Sequence, residues 1–313
     1  MDHSADQPLD SFAVSLMTLV CAIWGGAFVA IKINLLDMPP FAASSIRFFL
    51  TAVVLFLLAR LQHLRLWYGT KEMRFVFFLA FLFFYINFMV YAGTAHTTSG
   101  RATVFFYSQP VFFAVLAHYV FPDECLTVRK MWGLCIALVG LVFLFLSKLT
   151  GGSAPTLLGD CLVLSSALAT AGQNLIMKRA AGKVHPVALI FWGSLVSGLL
   201  LAVCSVVLEW NTPIVFSFRA VMALLYLSLI SAAFGFVVFA WLIQRYSAMR
   251  VTTLVFLAPV FGVFFSGFLL QETFTSIQLF GMVGVCWGVY MVTSKGSHEQ
   301  MAPLHRQEPI KAT

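Results

Sequence analysis

From residue 11 to residue 294, apolar runs of about 20 residues alternate with short polar connections. Within each run apolar side chains fall on every face rather than at every second position, a pattern that suits helices and not barrel strands. At about 1.5 Å per residue, such a run is long enough to cross a hydrocarbon layer of roughly 30 Å. Lipid offers backbone N–H and C=O groups no partner, so a segment crossing it must satisfy them internally, as a helix does. Charges, prolines and glycines at the run ends predict ten spans, at 11–31, 39–60, 74–93, 98–121, 129–148, 157–178, 186–209, 219–243, 249–270 and 275–294. The expected fold class is all-α: a polytopic membrane protein with ten transmembrane helices. The connections are too short to form a soluble domain, so function is expected within the helix bundle. Residues 1–10 and 295–313 read as polar tails, and the first run, preceded by MDHSADQPLD without Lys or Arg, reads as a retained span and not a secretory signal.

Two stretches of this pattern read almost alike: QPVFFAVLAHYVFPDE at 109–124 and APVFGVFFSGFLLQE at 258–272. Pro110 aligns with Pro259, Glu124 with Glu272, Gly133 with Gly281, Gly140 with Gly288 and Lys148 with Lys295, with one insertion between the prolines and the glutamates. Arg101 also meets Arg250. Upstream, Gly26 and Lys32 in WGGAFVAIK match Gly172 and Lys178 in TAGQNLIMK, and Pro40 matches Pro186. The chain therefore divides into repeats at 11–148 and 157–294, each with five predicted spans. Five is odd, so the second copy begins on the opposite face of the membrane and runs inverted relative to the first. Two inverted five-helix repeats around a midplane site can exchange conformations and open that site to either side in turn.

Composition agrees with lipid as the solvent: 61% of residues are hydrophobic and 10% charged, where soluble domains carry about 25% charged residues. The net charge of +7 does not point to nucleic acid, because the basic residues are spread between apolar runs and form no single patch. Fourteen Lys and Arg fall at or beyond span ends on the side of the two tails and four on the other, with Arg47 alone well inside a span. The positive-inside tendency then places both tails in the cytoplasm. The six cysteines, mostly inside apolar runs and without a CxxC pair, read as packing residues, so no metal site is expected. No GxxxxGK[ST] loop is present for ATP, and no HExxH segment or paired-Asp arrangement for intramembrane catalysis.

IWGGAFVAIK in the first span, PPFAASSIRFFL opening the second, HTTSGRATVFFYSQPVFFAVLAHYVFPDE across the fourth, and the stretch from LLYLSLISAAFGF to GMVGVCWGVYMV across the last three together resemble the EamA-type ten-helix permeases of the drug/metabolite transporter superfamily. The resemblance covers about residues 11–294. It implies a secondary carrier, often an exporter of amino acids, metabolites or toxic compounds, with no bound cofactor, in a bacterial inner membrane. The substrate does not carry over. A lipid scramblase, a membrane scaffold and, behind them, an intramembrane enzyme stand as the alternative classes.

Within the spans, a few residues carry candidate transport chemistry. Pro110 and Pro259 lie mid-span, where proline removes a donor and crowds the carbonyl four residues earlier, those of Phe106 and Val255, so a kink is expected at each, serving as a hinge or only improving packing. Asn87, Gln109, Gln173 and Asn174 are amides that need partners inside lipid, either a cavity-bound solute or a neighbouring helix. Gln173 and Asn174 align with Ala27 and Phe28, where the repeats differ in polarity as an asymmetric substrate would require. Trp24 and Tyr107 supply aromatic walls at a similar depth. Arg47 is expected to snorkel outward and cap carbonyls, with attraction of an anionic group as the alternative. Glu124, Glu272 and Asp160 are expected to cap helix ends. Trp67, Tyr68, Trp132, Trp210 and Trp241 sit near span ends as interfacial anchors. The expected partners are a small-molecule substrate and membrane lipid. No midplane carboxylate marks a coupling ion, so proton exchange and facilitated diffusion both stay open.

Overall fold

The structure is a computed structural model that describes residues 9–94, 96–97, 99–122, 124–146, 157–270 and 275–294. Lys148, Glu272 and Lys295 lie outside the described residues, as do the tails before residue 9 and after residue 294. Every regular element described is helical. In chain order these are α1 (Ser11–Leu35), α2 (Pro40–Leu61), α3 (Thr70–Thr94), α4 (Ser99–Phe106), α5 (Gln109–Val120), α6 (Val128–Leu144), α7 (Leu157–Arg179), α8 (Pro186–Leu208) and α9 (Phe218–Leu225). A π-helical segment (Tyr226–Phe234) follows, then α10 (Gly235–Arg245), α11 (Ala248–Leu254), α12 (Leu257–Leu270) and α13 (Ser276–Thr293).

Local chemistry explains most of the helix starts. Asp10 accepts the Ala13 N–H at 2.7 Å before α1, Thr127 accepts that of Lys130 before α6, and Ser217 accepts that of Ala220 before α9. Pro40 and Pro186 occupy first-turn positions, where a missing N–H costs nothing. Before α13, Thr275 and Gln278 bond reciprocally as a capping box. Two predicted limits need correction. The first helix continues past 31 to Leu35, and the third begins at Thr70 and not 74, because Lys71, Glu72 and Arg74 ride in an emerging first turn while Met73 anchors it in the core. Helix α6 ends at Leu144, and the predicted limit of its span at 148 lies outside the described residues.

Eight helical stretches among the described residues are long and apolar enough to cross a membrane: α1, α2, α3, most of α4–α5, α8, α9 through α10, α11 with most of α12, and α13. Helix α6, at 17 residues, falls short in length. Helix α7 carries Asp160, Ser165, Ser166, Thr170, Gln173 and Asn174 along its course, which lowers its mean hydropathy. Phe78, Phe81, Val203, Val207, Phe280 and Trp287 remain exposed on the flanks, as lipid-facing side chains would. The chain is an integral, polytopic membrane protein.

Helix α6 packs along α13, α2 along α8, α1 against α11 and α12, and α7 against α4 and α5. Helix α3 lies on α7 and α8, while the α9–α10 stretch lies on α1 and α2. The α6–α13 seam is closed by glycines: a Cβ on Gly288 would lie 2.4 Å from the Gly133 carbonyl oxygen, and one on Gly140 would lie 2.8 Å from that of Gly281. Small residues at such a seam let two backbones meet in a medium that supplies no hydrophobic drive between helices.

The described connections sort into two ends. At the near end, Tyr246 bonds to Asp10, the Lys178 ammonium to the Tyr246 carbonyl at 2.7 Å, the His185 N–H to the Tyr68 hydroxyl, and Arg129 to Ser294. At the far end, Arg219 and Ser217 hold Asp37, and Arg101 pairs with Asp160.

Candidate functional site

The WGGAF stretch of α1 meets two neighbours, the π segment and α12, with three successive residues. Trp24 donates its indole N–H to the Ser231 carbonyl of the π segment at 3.1 Å. Gly25 faces α12, where a Cβ would stand 2.7 Å from the Gly262 nitrogen. Gly26 faces Tyr226, whose hydroxyl donates to the Ile23 carbonyl at 2.8 Å and would lie 2.7 Å from a Cβ on Gly26. Two glycines therefore let α1 press against both neighbours while its tryptophan takes up a carbonyl between them.

That carbonyl is presented by the π segment. Its wider turns replace the usual i to i−4 bonds with i to i−5 bonds, a geometry concentrated at functional sites in helices. Trp24 bonds the Ser231 carbonyl, and the Thr51 hydroxyl of α2 reaches that of Ser228 at 3.2 Å. Gly235, just past the segment, leaves room for the indole, whose nitrogen would lie 2.8 Å from an added Cβ. Around this junction runs an aromatic wall: Trp24 meets Phe239 at 5.3 Å and Phe236 at 5.6 Å, Phe236 meets Phe83 at 5.6 Å, and Phe83 meets Phe48 at 5.3 Å. Arg47 lies over Phe48 and Phe236, at 5.3 and 6.0 Å from their centroids, and reaches the Ser231 hydroxyl at 3.5 Å.

Arg47 does not snorkel. It is 8% exposed, held inward between α2, the π segment and α10, so the expectation of an outward capping role is corrected. The spans with Pro110 and Pro259 are both broken, with turns at Tyr107–Ser108 and Val255–Phe256 ahead of the prolines. The Val255 carbonyl, four residues before Pro259, stays bonded. It accepts the Ala258 N–H at 3.0 Å because the turn tightens there, and the Leu254 carbonyl instead accepts the Cys21 thiol at 3.2 Å. Tyr107, in the first break, is buried in the same core as Cys21 and Phe256.

The other amides are spread along the bundle. Asn87 donates back to the Phe83 carbonyl of its own helix at 2.7 Å, which turns part of its polarity away from any cavity. Gln109 is buried at the start of α5, and Gln173 and Asn174 are buried on α7. Of the predicted aromatic walls, Trp24 joins the polar junction and Tyr107 the core beside it. Tyr226, Ser228 and Ser231 were not anticipated. Their signal was present in YLSLIS, hydroxyls spaced two and three apart in an otherwise apolar span, followed at 235 by glycine. Among the described residues no three His, Cys, Asp or Glu side chains converge as a metal centre would need.

A model of the EamA-like transporter family matches this chain over residues 11–146 and again over 157–294. The chain belongs to the EamA-like transporter family. It thus falls in the drug/metabolite transporter superfamily, among transporters rather than enzymes. It is similar to the "Uncharacterized transporter YoaV" of Bacillus subtilis, at 29% identity over 88% of this chain and 94% of that protein. It is also similar to proteins described as "Probable amino-acid metabolite efflux pump" in Escherichia coli, at 30% identity, and Salmonella typhimurium, at 31%, each over 88% of this chain and 93% of the relative. A solved crystal structure superposes with a TM-score of 0.80 over 95% of this chain and 100% of its own, at 16% identity, a likeness of fold alone. Within this EamA-like bundle, the meeting of α1, α2, α3 and the π segment is where buried polarity, an aromatic wall and helix irregularity coincide.

Proposed function

We propose that this EamA-like protein is a secondary transporter that moves a small metabolite, amino acid or drug-like compound outward by alternating access, with ten crossings arranged as two inverted five-helix repeats. The observation that carries this reading is the exchange pattern of the packing. Replacing each of the first five spans by its counterpart in the second set turns the α1 contact with α11–α12 into the α7 contact with α4–α5, and leaves the α6–α13 and α2–α8 pairs unchanged. The four glycines matched in sequence meet crosswise, Gly133 with Gly288 and Gly140 with Gly281. Two breaks ahead of matched prolines give each set one jointed helix. A bundle built of equivalent halves can interchange their conformations at little net cost, which is the physical basis of alternating access. On this reading α6 and α7 also cross, both tails face the cytoplasm of a bacterial inner membrane, and Trp24, Tyr107, Gln109, Gln173 and Asn174 line the path together with Asn87.

The test is flux. Purified protein in proteoliposomes is expected to move one or more members of a panel of amino acids and their metabolites in a saturable manner, the panel being suggested by the amino-acid metabolite efflux described for the Escherichia coli and Salmonella typhimurium relatives. Pro110→Ala and Pro259→Ala are expected to slow that flux several-fold while leaving the amount of protein in the membrane unchanged. Lipid mixing without saturable solute flux would instead mark a scramblase.

A further inference from the structure

Arg47 is permanently charged, and a charge held inside a membrane bundle ordinarily faces a partner of opposite sign. Among the described residues each carboxylate is placed elsewhere. Asp10 serves Ala13 and Tyr246, Asp37 serves Arg219 and Ser217, and Asp160 serves Arg101 and Thr97. Glu124 bonds the start of α11, and Glu209 spends one oxygen on the Phe41 N–H and the other on that of Ala42. Glu72 sits in the first turn of α3, at the opposite end of that helix from Tyr91.

The groups that do surround the guanidinium are neutral: the Ser231 hydroxyl, the Tyr91 hydroxyl and the faces of Phe48 and Phe236. Its Nε has no hydrogen-bond partner, and neither does the Ser44 hydroxyl or the Asn34 Oδ1. All three residues are more than nine-tenths buried, and all three line one crevice, closed on its other sides by Ala43, Tyr91 and Leu227. Buried polar atoms are almost always paired, and an unpaired one costs its full desolvation. Three together, on two helices around one gap, describe a receptor and not a packing defect. A hydroxyl and a guanidinium N–H are donors, and a flip of the Asn34 amide turns its NH2 toward the same gap. That donor set, with one net positive charge and no negative one, fits an oxyanion.

We propose that this crevice is an anion subsite in which Arg47, Ser44 and Asn34 receive the carboxylate head of the transported solute, and that its apolar part lies along the wall formed by Phe236 and Trp24. Phe236 contacts both the guanidinium and the indole, so head and tail positions are contiguous. The crevice measures about 10 Å³, room for one water-sized group; full entry of a carboxylate therefore requires α1 and α2 to part, as in the exchange of conformations above, and the inference rests on that carrier reading.

The experiment follows thermal unfolding of the full-length purified protein, wild type and Arg47→Met, with the twenty L-amino acids and phenylacetate as probes against their amides. Without probe, Arg47→Met is expected to melt at or above the wild-type temperature, since it removes an uncompensated buried charge. Melting several degrees lower would make Arg47 a structural residue and overturn the proposal. At least one carboxylate is expected to raise the wild-type midpoint by about 2 °C or more, its amide is not, and the shift is expected to vanish in Arg47→Met. A wild type that answers to none of the carboxylates, or equally to the amides, overturns it. So does a variant that retains the shift. A stabilisation that depends on Arg47 but comes from phosphatidylglycerol over phosphatidylcholine in mixed micelles would assign the crevice to a lipid head group and also overturn it. Failure here and failure of the carrier reading are separable: saturable flux of an uncharged or cationic solute that survives Arg47→Met sinks the anion subsite and leaves the carrier standing.

Discussion

Asp37 ties the connection after α1 to the stretch that opens α9 at the far end. Its carboxylate accepts from the Arg219 guanidinium at 2.6 and 2.7 Å and from the Ser217 hydroxyl at 2.5 Å, while its backbone carbonyl accepts the Val215 N–H at 2.9 Å. The hydrogen bonds from Arg219 and then Ser217 hold its pKa down to about 2. A carboxylate depressed in the folded state adds stability above its unfolded pKa of about 4, and that contribution fades as pH falls toward the folded value. The melting difference between wild type and Asp37→Asn is therefore expected to be constant from about pH 5 upward and to shrink between about pH 4 and pH 2; a difference that grows on acidification would contradict the latch. Residue roles of this kind were only half legible in the sequence. Glu124 was readable as a helix cap, and it does bond the Ser247 hydroxyl and the Met249 N–H, yet the helix it caps is α11 and not its own. Side-chain type announces the chemistry, but the partner depends on which helix ends come together in space.

At the scale of elements, helix contacts are decided by what a backbone can approach. The Gly133, Gly140, Gly281 and Gly288 set was legible as a repeated spacing, but sequence alone could not say that Gly133 meets Gly288 crosswise. Gly288→Ala would drive a Cβ to 2.4 Å from the Gly133 oxygen and 2.5 Å from the Ala137 nitrogen, both backbone atoms that move only with their helix. It is expected to cost roughly 1–3 kcal/mol. Gly172→Ala, in α7, meets nothing within 4 Å and is expected to be neutral or to gain up to about 1 kcal/mol from helix propensity. Thermal unfolding of the two variants side by side checks both, and equal effects would deny the close seam. The π segment was not legible at all. Apolar periodicity marks a continuous span from 219 to 243, and nothing in that count distinguishes four-residue from five-residue hydrogen-bond rings. Its register depends on tertiary partners, the Trp24 and Thr51 donors that take up its carbonyls.

For the whole molecule, hydropathy was the strongest guide to the all-helical membrane fold, because lipid forces each crossing to satisfy its backbone internally. The proposed alternation of ten spans still requires α6 and α7, which are weaker in length or hydropathy, to cross. Two exposed positions test that alternation. Cys125, between α5 and α6, lies toward the near end, and Trp210, after α8, toward the far end. With the other cysteines removed, a membrane-impermeant thiol reagent is expected to reach a cysteine at 210 in intact cells and Cys125 only after the membrane is opened. Labelling of both from one side would break the topology and the inverted arrangement with it.

Glu124, from the stretch matched at 11–146, completes the start of α11 in the stretch matched at 157–294, and Glu209, from the second stretch, completes the start of α2 in the first. Neither half carries all the hydrogen-bond partners that its own helix starts require. Each matched stretch consequently finishes helix starts of the other, however closely the two resemble one another.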